Sequence, residues 1–399
     1  MVETFKPETA EQVVEAIAWA TGEETPVEIV GTGTKHGFGR PMGDGNRTIA
    51  HAIDLSGLSG ITLYEPEELV LSAWAGTPLA EIEAAVAAKG QMLAFEPPHF
   101  ARLYGNEGGT LGGMIACNLA GPRRVKAGAA RDHILGIEAV TGRGDLVKSG
   151  GRVVKNVTGY DLSKLLTGSF GTLAALTRIT IKVLPAAETE ETILLSGLDD
   201  AAAIETMTAA LNSSNEVSGA AHLPDGLAST QGPVTAFRVE GFVPSVSARA
   251  EALQELVGTR GRVTTLDREA SKAFWTSVRD AEGVGDGKSP LWRLSVTPDR
   301  AADVTAAILA EVPGTVMYDW GGGLIWFRAD GADVAANVRA ALAANGGGHA
   351  TLVRAPNNTR RNVDVFEPQP APLAALSRRV KESFDPRHIL NPGRMYNGV

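Results

Sequence analysis

Cysteine is nearly absent from this chain, which carries only Cys117 among its 399 residues. A single thiol forms no disulfide within the chain and cannot by itself hold a cysteine-ligated metal cluster. Cys117 ends the apolar run 114–117, which favours a buried structural thiol. The sequence therefore excludes both a disulfide-stapled scaffold and a self-contained iron–sulfur protein.

Basic excess and long apolar runs are also missing. The chain has 37 Lys and Arg residues against 46 Asp and Glu residues, giving a net charge of −9. Nucleic-acid-binding proteins concentrate basic residues on one face, so no nucleic-acid partner is expected. No stretch approaches the roughly 18 apolar residues of a membrane span, and the N-terminus lacks a basic-then-apolar signal pattern. We expect a cytoplasmic protein, and membrane association through partner subunits stays open.

Histidine pairs are the third absence. Metal sites built from a short motif place two histidines within a few residues of each other. No two histidines of this chain lie within five residues of each other, so the sequence predicts no metal site. The seven histidines are His36, His51, His99, His133, His222, His349 and His388.

Glycine, in contrast, is abundant, with 46 residues gathered in a few loops. The first loop, 31–37, follows a short predicted strand at 27–30, and Asp54 lies where a dinucleotide-binding fold places its ribose-binding acid. Such a fold must open directly into a helix, whereas Gly39 and Pro41 follow here and forbid one. A nest of backbone N–H groups around a phosphate and a plain surface loop both stay open.

A second loop, 108–113, contains four glycines in six residues and precedes a small apolar run. Glycines at such a turn let backbone amides approach an anion. Further glycine turns follow at 128–132, 159–162 and 168–173. Any one of these turns could be an ordinary surface turn, but their order along the chain is a more specific pattern than any single turn. From about residue 105 to 185 we predict glycine loops that alternate with short strands.

The character of the sequence changes after residue 185. Longer helical patterns alternate with β-type runs such as 236–241 and 291–296, which is typical of an α+β domain. We predict a division into residues 1–185, 186–350 and 351–399. The predicted helices of the second part are 199–211, 246–257, 299–310 and 331–344.

Residues 1–185 resemble the FAD-binding domain of the vanillyl-alcohol-oxidase, or PCMH-type, flavoproteins. The loop 31–37, the turn 110–113 and the segment 159–173 carry this resemblance. The tail 384–395 resembles the closing segment of lactate and glycolate oxidoreductases, and nearly the whole chain is similar to the E-type flavin subunits of bacterial glycolate oxidase (glycolate dehydrogenase). The resemblance implies an α+β fold: a PCMH-type FAD-binding domain of two subdomains, an α+β cap for the substrate, and a C-terminal segment that returns to the FAD domain.

The resemblance also implies a set of cofactor-binding residues. Some relatives tether FAD through a histidine directly after the first glycine triplet, but Thr34 takes that place here and His36 lies two positions later. Dissociable FAD is therefore expected. The implied cofactor-binding residues are Val30, Gly31, Thr32, Gly33, Thr34, Lys35, His36, Pro97, Gly109, Thr110, Leu111, Gly112, Gly113, Asn118, Gly121, Gly128, Asp132, Leu176 and Thr177.

Oxidation of a 2-hydroxy acid needs a cation for the carboxylate and a base for the hydroxyl proton. Arg354 and His349, which follow a glycine triplet, are the candidate catalytic pair. Alternatively, His349 caps a strand and Arg354 pairs with a carboxylate. Two interpretations stay open for Tyr318, Asp319 and Trp320. They face the flavin, or they form a strand end around a packed aromatic ring.

Three functions stay open at this stage. The resemblance implies a flavin subunit that oxidises glycolate or D-lactate and passes electrons to an iron–sulfur subunit. The scattered histidines favour a second hypothesis, in which the chain binds FAD as an electron-relay or assembly partner of a sister flavin subunit. A self-sufficient FAD-dependent alcohol oxidoreductase is the third, and the tail at Asn391-Pro392-Gly393 argues against it.

Overall fold

The computed structural model of the protein describes residues 2–42, 49–105, 108–152, 159–224, 232–285, 287–331 and 333–399. The strands are β1 (Glu3–Phe5), β2 (Val27–Val30), β3 (His51–Asp54), β4 (Ile61–Glu65), β5 (Val70–Trp74), β6 (Gln91–Met92), β7 (Ile134–Thr141), β8 (Leu146–Gly150), β9 (Ala174–Lys182), β10 (Leu184–Pro185), β11 (Thr189–Ser196), β12 (Gly219–Leu223), β13 (Val234–Gly241), β14 (Arg262–Leu266), β15 (Leu291–Ser295), β16 (Gly314–Asp319), β17 (Leu324–Ala329) and β18 (His349–Arg354).

The α-helices follow the same chain order, and short 3-10 helices lie at Leu55–Gly57, Pro66–Glu68, Pro298–Arg300 and Trp320–Gly322. The α-helices are α1 (Ala10–Gly22), α2 (Leu79–Ala87), α3 (Ala101–Tyr104), α4 (Leu111–Ala116), α5 (Arg124–Ala127), α6 (Ala130–His133), α7 (Leu162–Leu166), α8 (Asp200–Leu211), α9 (Val243–Gly258), α10 (Arg268–Arg279), α11 (Ala301–Glu311), α12 (Ala335–Ala344), α13 (Asn357–Asn362) and α14 (Ala371–Phe384).

The N-terminal domain contains two main sheets. Strands β1, β3 and β2 form a parallel sheet in that order, and β4-β5-β9-β7-β8 form an antiparallel one. Helix α1 begins at the Thr9 cap, whose side chain accepts a hydrogen bond from the Gln12 N–H. It buries Val13 and Ile17 against the parallel sheet, because these positions share one helical face. This arrangement is the α+β architecture that the resemblance implies.

The second domain is built on one antiparallel sheet, ordered β14-β11-β13-β12-β16-β17-β15-β18. Adjacent residues of its strands point to opposite faces. Ile193 belongs to the core cluster beneath helices α8, α9, α11 and α12, whereas Leu194 belongs to the cluster that includes residues of the N-terminal domain. The central strands of the sheet are therefore buried on both faces, which explains their apolar runs. The four helices predicted between 199 and 344 are present, and β18 crosses the predicted division at residue 350.

The stretch from 105 to 133 differs from the prediction. Helical turns α4, α5 and α6 occupy it where we expected short strands between glycine loops. Thr110 caps α4 by accepting a hydrogen bond from the Gly113 N–H at 3.2 Å. A Cβ on Gly112 would lie 2.8 Å from the Ala75 Cβ, so the glycine lets the helix pack directly on the segment after β5. Close packing outweighs the low helix propensity of glycine here.

The C-terminal segment packs on the N-terminal domain. Lys381, at the buried end of α14, donates hydrogen bonds to the Thr172 carbonyl at 2.6 Å, the Leu390 carbonyl at 2.9 Å and the Asp385 carboxylate at 2.7 Å. Ile389 and Leu390 join the core beneath α1. A buried ammonium needs such complete pairing. Within the described ranges, no helix is long and apolar enough to cross a lipid bilayer.

Four buried charges join the two domains. Arg238 of β13 donates two hydrogen bonds to the Glu96 carboxylate at 2.8 and 3.1 Å. Arg123 donates two to Glu240 of β13 at 2.8 and 3.0 Å, and its N–H donates to Glu96 at 2.8 Å. Burial acts to raise the pKa of Glu96, but Arg238 and Arg123 outweigh it and hold that pKa at about 2. We call these four residues the interdomain charge cluster.

We expect Glu96→Gln to lower the free energy of unfolding by about 3 kcal/mol at neutral pH, because two arginines then stay buried beside a neutral partner. Because the pKa of Glu96 falls from 4.5 to about 2 on folding, its contribution is present above 4.5 and is lost as the pH falls toward 2. Urea unfolding followed by circular dichroism measures both effects. Glu251→Gln, at an exposed position of α9, is the control. Equal stability of the two variants at neutral pH would contradict the prediction.

Candidate cofactor site and an adjacent cavity

A cavity of about 790 Å³, counted to its open mouth, lies where the loop after β2 meets the turn before α4. Strand β9 and the C-terminal tail complete its walls, so segments far apart in sequence surround one space. The predicted residues that line it are Val30, Gly31, Thr32, Gly33, Thr34, Lys35, His36, Thr110, Gly112, Gly113 and Leu176.

The two glycine turns touch each other at this cavity. A Cβ built on Gly31 would lie 2.6 Å from the Thr110 Oγ1, and a Cβ built on Gly109 would lie 3.0 Å from the Lys35 Nζ. Real Cβ atoms do not approach a side-chain oxygen as closely as 2.6 Å. The absence of a side chain at Gly31 is therefore what allows the two turns to converge.

The backbone amides of the two turns have different roles. Within the described residues, the N–H groups of Thr32, Gly33, Thr34 and Lys35 have no protein acceptor. The second turn differs, because its amides at 111 and 112 donate to the Thr77 and Ala75 carbonyls at 3.0 and 2.7 Å. The N–H groups of Gly109 and Thr110, in contrast, have no acceptor among the described residues. Both turns therefore have N–H groups left for a ligand, and their convergence on one anion stays a prediction.

Two cations line the same cavity without a carboxylate within ion-pair distance among the described residues. Lys35 Nζ contacts only the Thr34 hydroxyl, at 3.4 Å. Arg394 donates to the Lys35 carbonyl at 2.8 Å and to the Arg40 carbonyl at 3.3 Å. Burial lowers the pKa of both side chains. Charged groups held in this way favour an anionic ligand, because such a ligand would replace the lost hydration.

Side chains from the tail and from α13 fix the first loop in place. Arg360 donates to the carbonyls of Gly37 and Gly39, each at 2.6 Å. Asn391 accepts from the Ile29 N–H at 2.7 Å and donates to the Phe170 carbonyl at 2.7 Å. No tail residue was among the predicted site residues. The Asn391-Pro392-Gly393 motif is the signal that could have placed Asn391 there.

Several predicted residues do not line this cavity. Thr177 follows Leu176 on β9 and points to the opposite face, because strand side chains alternate. Asp132 instead accepts a hydrogen bond from the Ala129 N–H at 2.9 Å and closes the turn at Gly128. The predicted residues outside the lining are Pro97, Gly109, Leu111, Asn118, Gly121, Gly128, Asp132 and Thr177.

Asn118 and Gly121 line a second cavity, of about 410 Å³, between the two domains. Cys117 lines both cavities, so they are neighbours. Cys117 is half-buried rather than fully enclosed, which differs from the expected structural thiol. The second domain contributes Arg279, Arg293, Asp319, Leu324 and Trp326 to the walls.

The candidate catalytic pair lies in neither cavity. His349 is exposed at the start of β18. Arg354 donates to the backbone carbonyls of Gly285 and Ser289, and the alternative in which it pairs with a carboxylate stays a prediction. Both residues belong to β18, the edge strand of the second sheet, and their catalytic role stays a prediction. In the described part of the chain, no group of three or more His, Cys, Asp or Glu side chains is arranged to hold a metal.

The three neighbouring residues 318–320 separate into different environments. Tyr318 is buried under the helices and hydrogen-bonds Asp200 at 2.5 Å. Asp319 lines the second cavity. Trp320 donates its indole N–H to the Gly121 carbonyl at 3.0 Å, across the domain boundary. Only Asp319 therefore lines a ligand-sized space.

The first cavity suits FAD. A diphosphate fits the free amides of the first loop and the cations Lys35 and Arg394. Glu28 offers an acceptor for hydroxyl groups. Residues 3–150 match the family model described as an FAD binding domain. With the fold, these findings define the chain as an FAD-dependent oxidoreductase with a PCMH-type FAD-binding domain.

Over 393 residues the chain is 36% identical to glycolate oxidase subunit GlcE of Escherichia coli (strain K12), which covers 97% of this chain and 97% of that protein. The chain therefore belongs to the glycolate oxidase subunit GlcE family. It is also 25% identical to glycolate oxidase subunit GlcD of Bacillus subtilis (strain 168), over 78% of this chain and 63% of that protein.

Solved structures share the fold over nearly the whole chain. p-Cresol methylhydroxylase aligns with a TM-score of 0.72 at 14% identity, covering 98% of this chain and 88% of that one. An alkyldihydroxyacetonephosphate synthase aligns with a TM-score of 0.68 at 14% identity, covering 98% of this chain and 76% of that one. At such identity the likeness concerns the fold, which is an FAD-binding domain followed by a further α+β domain.

We expect Gly31→Ala to lower the FAD content of the purified protein by about tenfold, because the new methyl group pushes the first loop away from Thr110. Flavin absorbance relative to protein concentration measures this. Gly22→Ala is the matched control, because no atom lies within 4 Å of a Cβ at that helix end. Circular dichroism verifies that both variants are folded. Native flavin content in a folded Gly31→Ala variant would contradict the site.

Proposed function

We propose that this chain is the FAD-holding subunit of a multi-subunit 2-hydroxy-acid dehydrogenase that oxidises glycolate to glyoxylate. The supporting observation is the cavity at the first glycine loop, where free amides lie beside Lys35 and Arg394. The full-length similarity to glycolate oxidase subunit GlcE supports the choice of substrate. Bound FAD would accept the two electrons that leave the substrate.

The protein's own residues would hold the cofactor as follows. The N–H groups of Thr32 to Lys35 and the two cations would bind the diphosphate, while Val30, Thr110, Gly112, Gly113 and Leu176 would form the adjoining walls. Arg360 and Asn391 would keep the loop in its binding shape. A rigid loop binds an anion more tightly because less ordering is needed on binding.

The electrons must then leave for another subunit. A four-cysteine iron–sulfur cluster cannot be built from Cys117 alone. The proposed partners are therefore an iron–sulfur subunit and a sister flavin subunit, the latter supported by the partial similarity to glycolate oxidase subunit GlcD. D-lactate is the alternative substrate, because an archaeal D-lactate dehydrogenase from Archaeoglobus fulgidus is 35% identical over 45% of this chain.

We propose that the FAD is not covalently attached. Thr34 is buried in the cavity wall, and a hydroxyl forms no flavin linkage of the histidyl kind. His36 faces the cavity but pairs its Nδ1 with Glu28 at 2.8 Å.

Acid precipitation of the purified yellow protein should leave nearly all of the flavin in the supernatant, because no covalent bond retains it. Absorbance and fluorescence of the two fractions measure the distribution. The control is a parallel sample digested with protease, which reports the total flavin. A yellow pellet would overturn the noncovalent assignment and point to His36.

A second candidate function has an observation in its favour. Neither His349 nor Arg354 lines a cavity, and the described residues hold no metal cluster. These facts favour an electron-relay or assembly role beside a sister flavin subunit that oxidises the substrate. A self-sufficient alcohol oxidoreductase is disfavoured by the end-to-end match with a subunit of a complex.

Anaerobic addition of glycolate to the isolated, FAD-loaded chain separates the two functions. If the chain oxidises glycolate itself, the flavin band near about 450 nm should bleach within one turnover, because the cofactor takes up the electrons. A band that persists until the sister subunit is added would favour the relay role. Reduction by dithionite in both samples is the control that the flavin is accessible and redox-active.

A further inference from the structure

Arg293 lines the cavity between the two domains and lacks a carboxylate partner among the described residues. Arg293 of β15 lines this cavity, and among the described residues its guanidinium has no hydrogen bond or ion pair. Its neighbour is the Trp320 ring, 4.9 Å from the guanidinium carbon to the ring centroid. Burial, followed by the charge of Arg124, lowers the pKa of Arg293 to about 10, so the side chain stays charged at neutral pH. A buried cation in this state favours an anion in the cavity.

Arg279, the other arginine of the cavity, is paired with a carboxylate, unlike Arg293. Arg279 donates two hydrogen bonds to Asp280, at 3.1 and 2.7 Å. Its charge is thereby neutralised within the protein. The cavity consequently offers one uncompensated positive charge, at Arg293, and a singly charged anion is the ligand that balances it.

Asp319 supplies a neutral hydrogen-bonding group to the same cavity. Its carboxyl is 2% exposed, and one oxygen accepts from the Trp320 N–H at 2.7 Å. Burial, aided by the charge of Glu96, raises the pKa of Asp319 to about 8 despite that hydrogen bond and the nearby Arg238 and Arg293. At neutral pH the carboxyl therefore keeps its proton and can donate it in a hydrogen bond to a ligand.

Trp320, which follows Asp319, has a strained backbone and is fixed by contacts of its ring. Trp320 has a φ of 55°, a left-handed conformation that a tryptophan rarely adopts. Arg124 stacks on the same ring, with 4.2 Å between the guanidinium carbon and the centroid. The indole N–H holds the Gly121 carbonyl of the other domain. Strained residues persist where the surroundings fix them, as at ligand sites.

We propose that this cavity binds a small monocarboxylate, whose carboxylate group is held between the Arg293 guanidinium and the carboxyl of Asp319. One cation and one neutral donor match the two oxygens of a singly charged carboxylate. A dianion would leave a charge unbalanced beside Asp319. Phe100, Leu324 and Trp326 close the rest of the space and limit the ligand to a short, weakly polar remainder.

This inference rests on the proposed function in its choice of ligand. If the protein oxidises glycolate, glycolate is the monocarboxylate expected in this cavity. The position also fits, because Cys117 lines both this cavity and the cofactor cavity. A carboxylate bound here lies next to the space assigned to FAD. The site does not use the histidines that the sequence analysis considered.

The first test measures binding of acetate, which cannot be oxidised at a hydroxyl group, by isothermal titration calorimetry on the full purified chain. Acetamide, a neutral molecule of the same shape, is the control ligand. We expect acetate to bind and acetamide to bind at least about tenfold more weakly, because the charge and both oxygens are needed. Equal binding of the two ligands, or no acetate binding at all, would overturn the proposal.

Arg293→Met should weaken acetate binding by about tenfold or more, because it removes the arginine of the cavity that has no carboxylate partner among the described residues. Arg262→Met is the matched control, since Arg262 is exposed on β14 of the same sheet. Circular dichroism establishes that both variants are folded. Arg293→Lys, which keeps the charge, should recover part of the affinity even if the methionine variant is unstable. Unchanged affinity in a folded Arg293→Met variant would disprove the role of this residue.

The pH dependence tests Asp319. Acetate affinity should fall about tenfold between about pH 7 and about pH 9, because the pKa of Asp319 is about 8 and its ionised form repels the ligand. The other charged groups around this cavity are Glu96, Arg124, Arg238, Arg279 and Arg293. Asp319→Asn should bind acetate with little dependence on pH. A variant that retains the full pH dependence would overturn the assignment of Asp319.

The flavin content of each sample separates this inference from the proposed function. A chain that lacks FAD but binds acetate through Arg293 would contradict the proposed function and leave the carboxylate site standing. A chain with normal FAD content and no acetate binding would contradict only the carboxylate site. Absorbance of the same samples before titration provides this measurement.

Discussion

The interdomain charge cluster is the constraint on which the geometry of the second cavity depends. Glu96 belongs to the N-terminal domain and Arg238 to the second sheet, so their bidentate pair fixes the two domains against each other. The Glu96 carbonyl lies so near Gly121 that a Cβ there would approach it to 2.3 Å. Gly121 in turn accepts the indole N–H of Trp320. The buried ion pairs therefore lead directly to the wall of the second cavity.

The cofactor cavity depends on other contacts, because its walls come from segments that lie far apart in the sequence. The first loop, the turn before α4 and the tail meet only after both sheets of the N-terminal domain have formed. Asn391 joins β2 to the turn at Phe170, and Lys381 joins α14 to Thr172. These contacts couple the stability of the C-terminal segment to the shape of the first loop, which carries the free N–H groups.

Pairing of charge distinguishes structural from ligand-facing cations in this protein. Arg123, Arg238 and Arg279 each meet a carboxylate and are satisfied within the fold. Lys35, Arg394 and Arg293 meet none among the described residues and line the two cavities. Burying a charge without a partner is unfavourable. These three cations line the two cavities for which we propose anionic ligands.

The sequence by itself determined the first glycine loop and the α+β pattern of the second domain with its helices, because these features follow from local periodicity and backbone freedom. The fold of the FAD-binding domain came from the resemblance to a known family. The sequence misjudged α4, since the contact of Gly112 with Ala75 is nonlocal, and its candidate catalytic pair stays a prediction. Only the tertiary structure decided which arginines are paired. Whether Arg293 pairs with a carboxylate depends on how the two domains pack against each other. The spacing of residues along the chain does not show this packing.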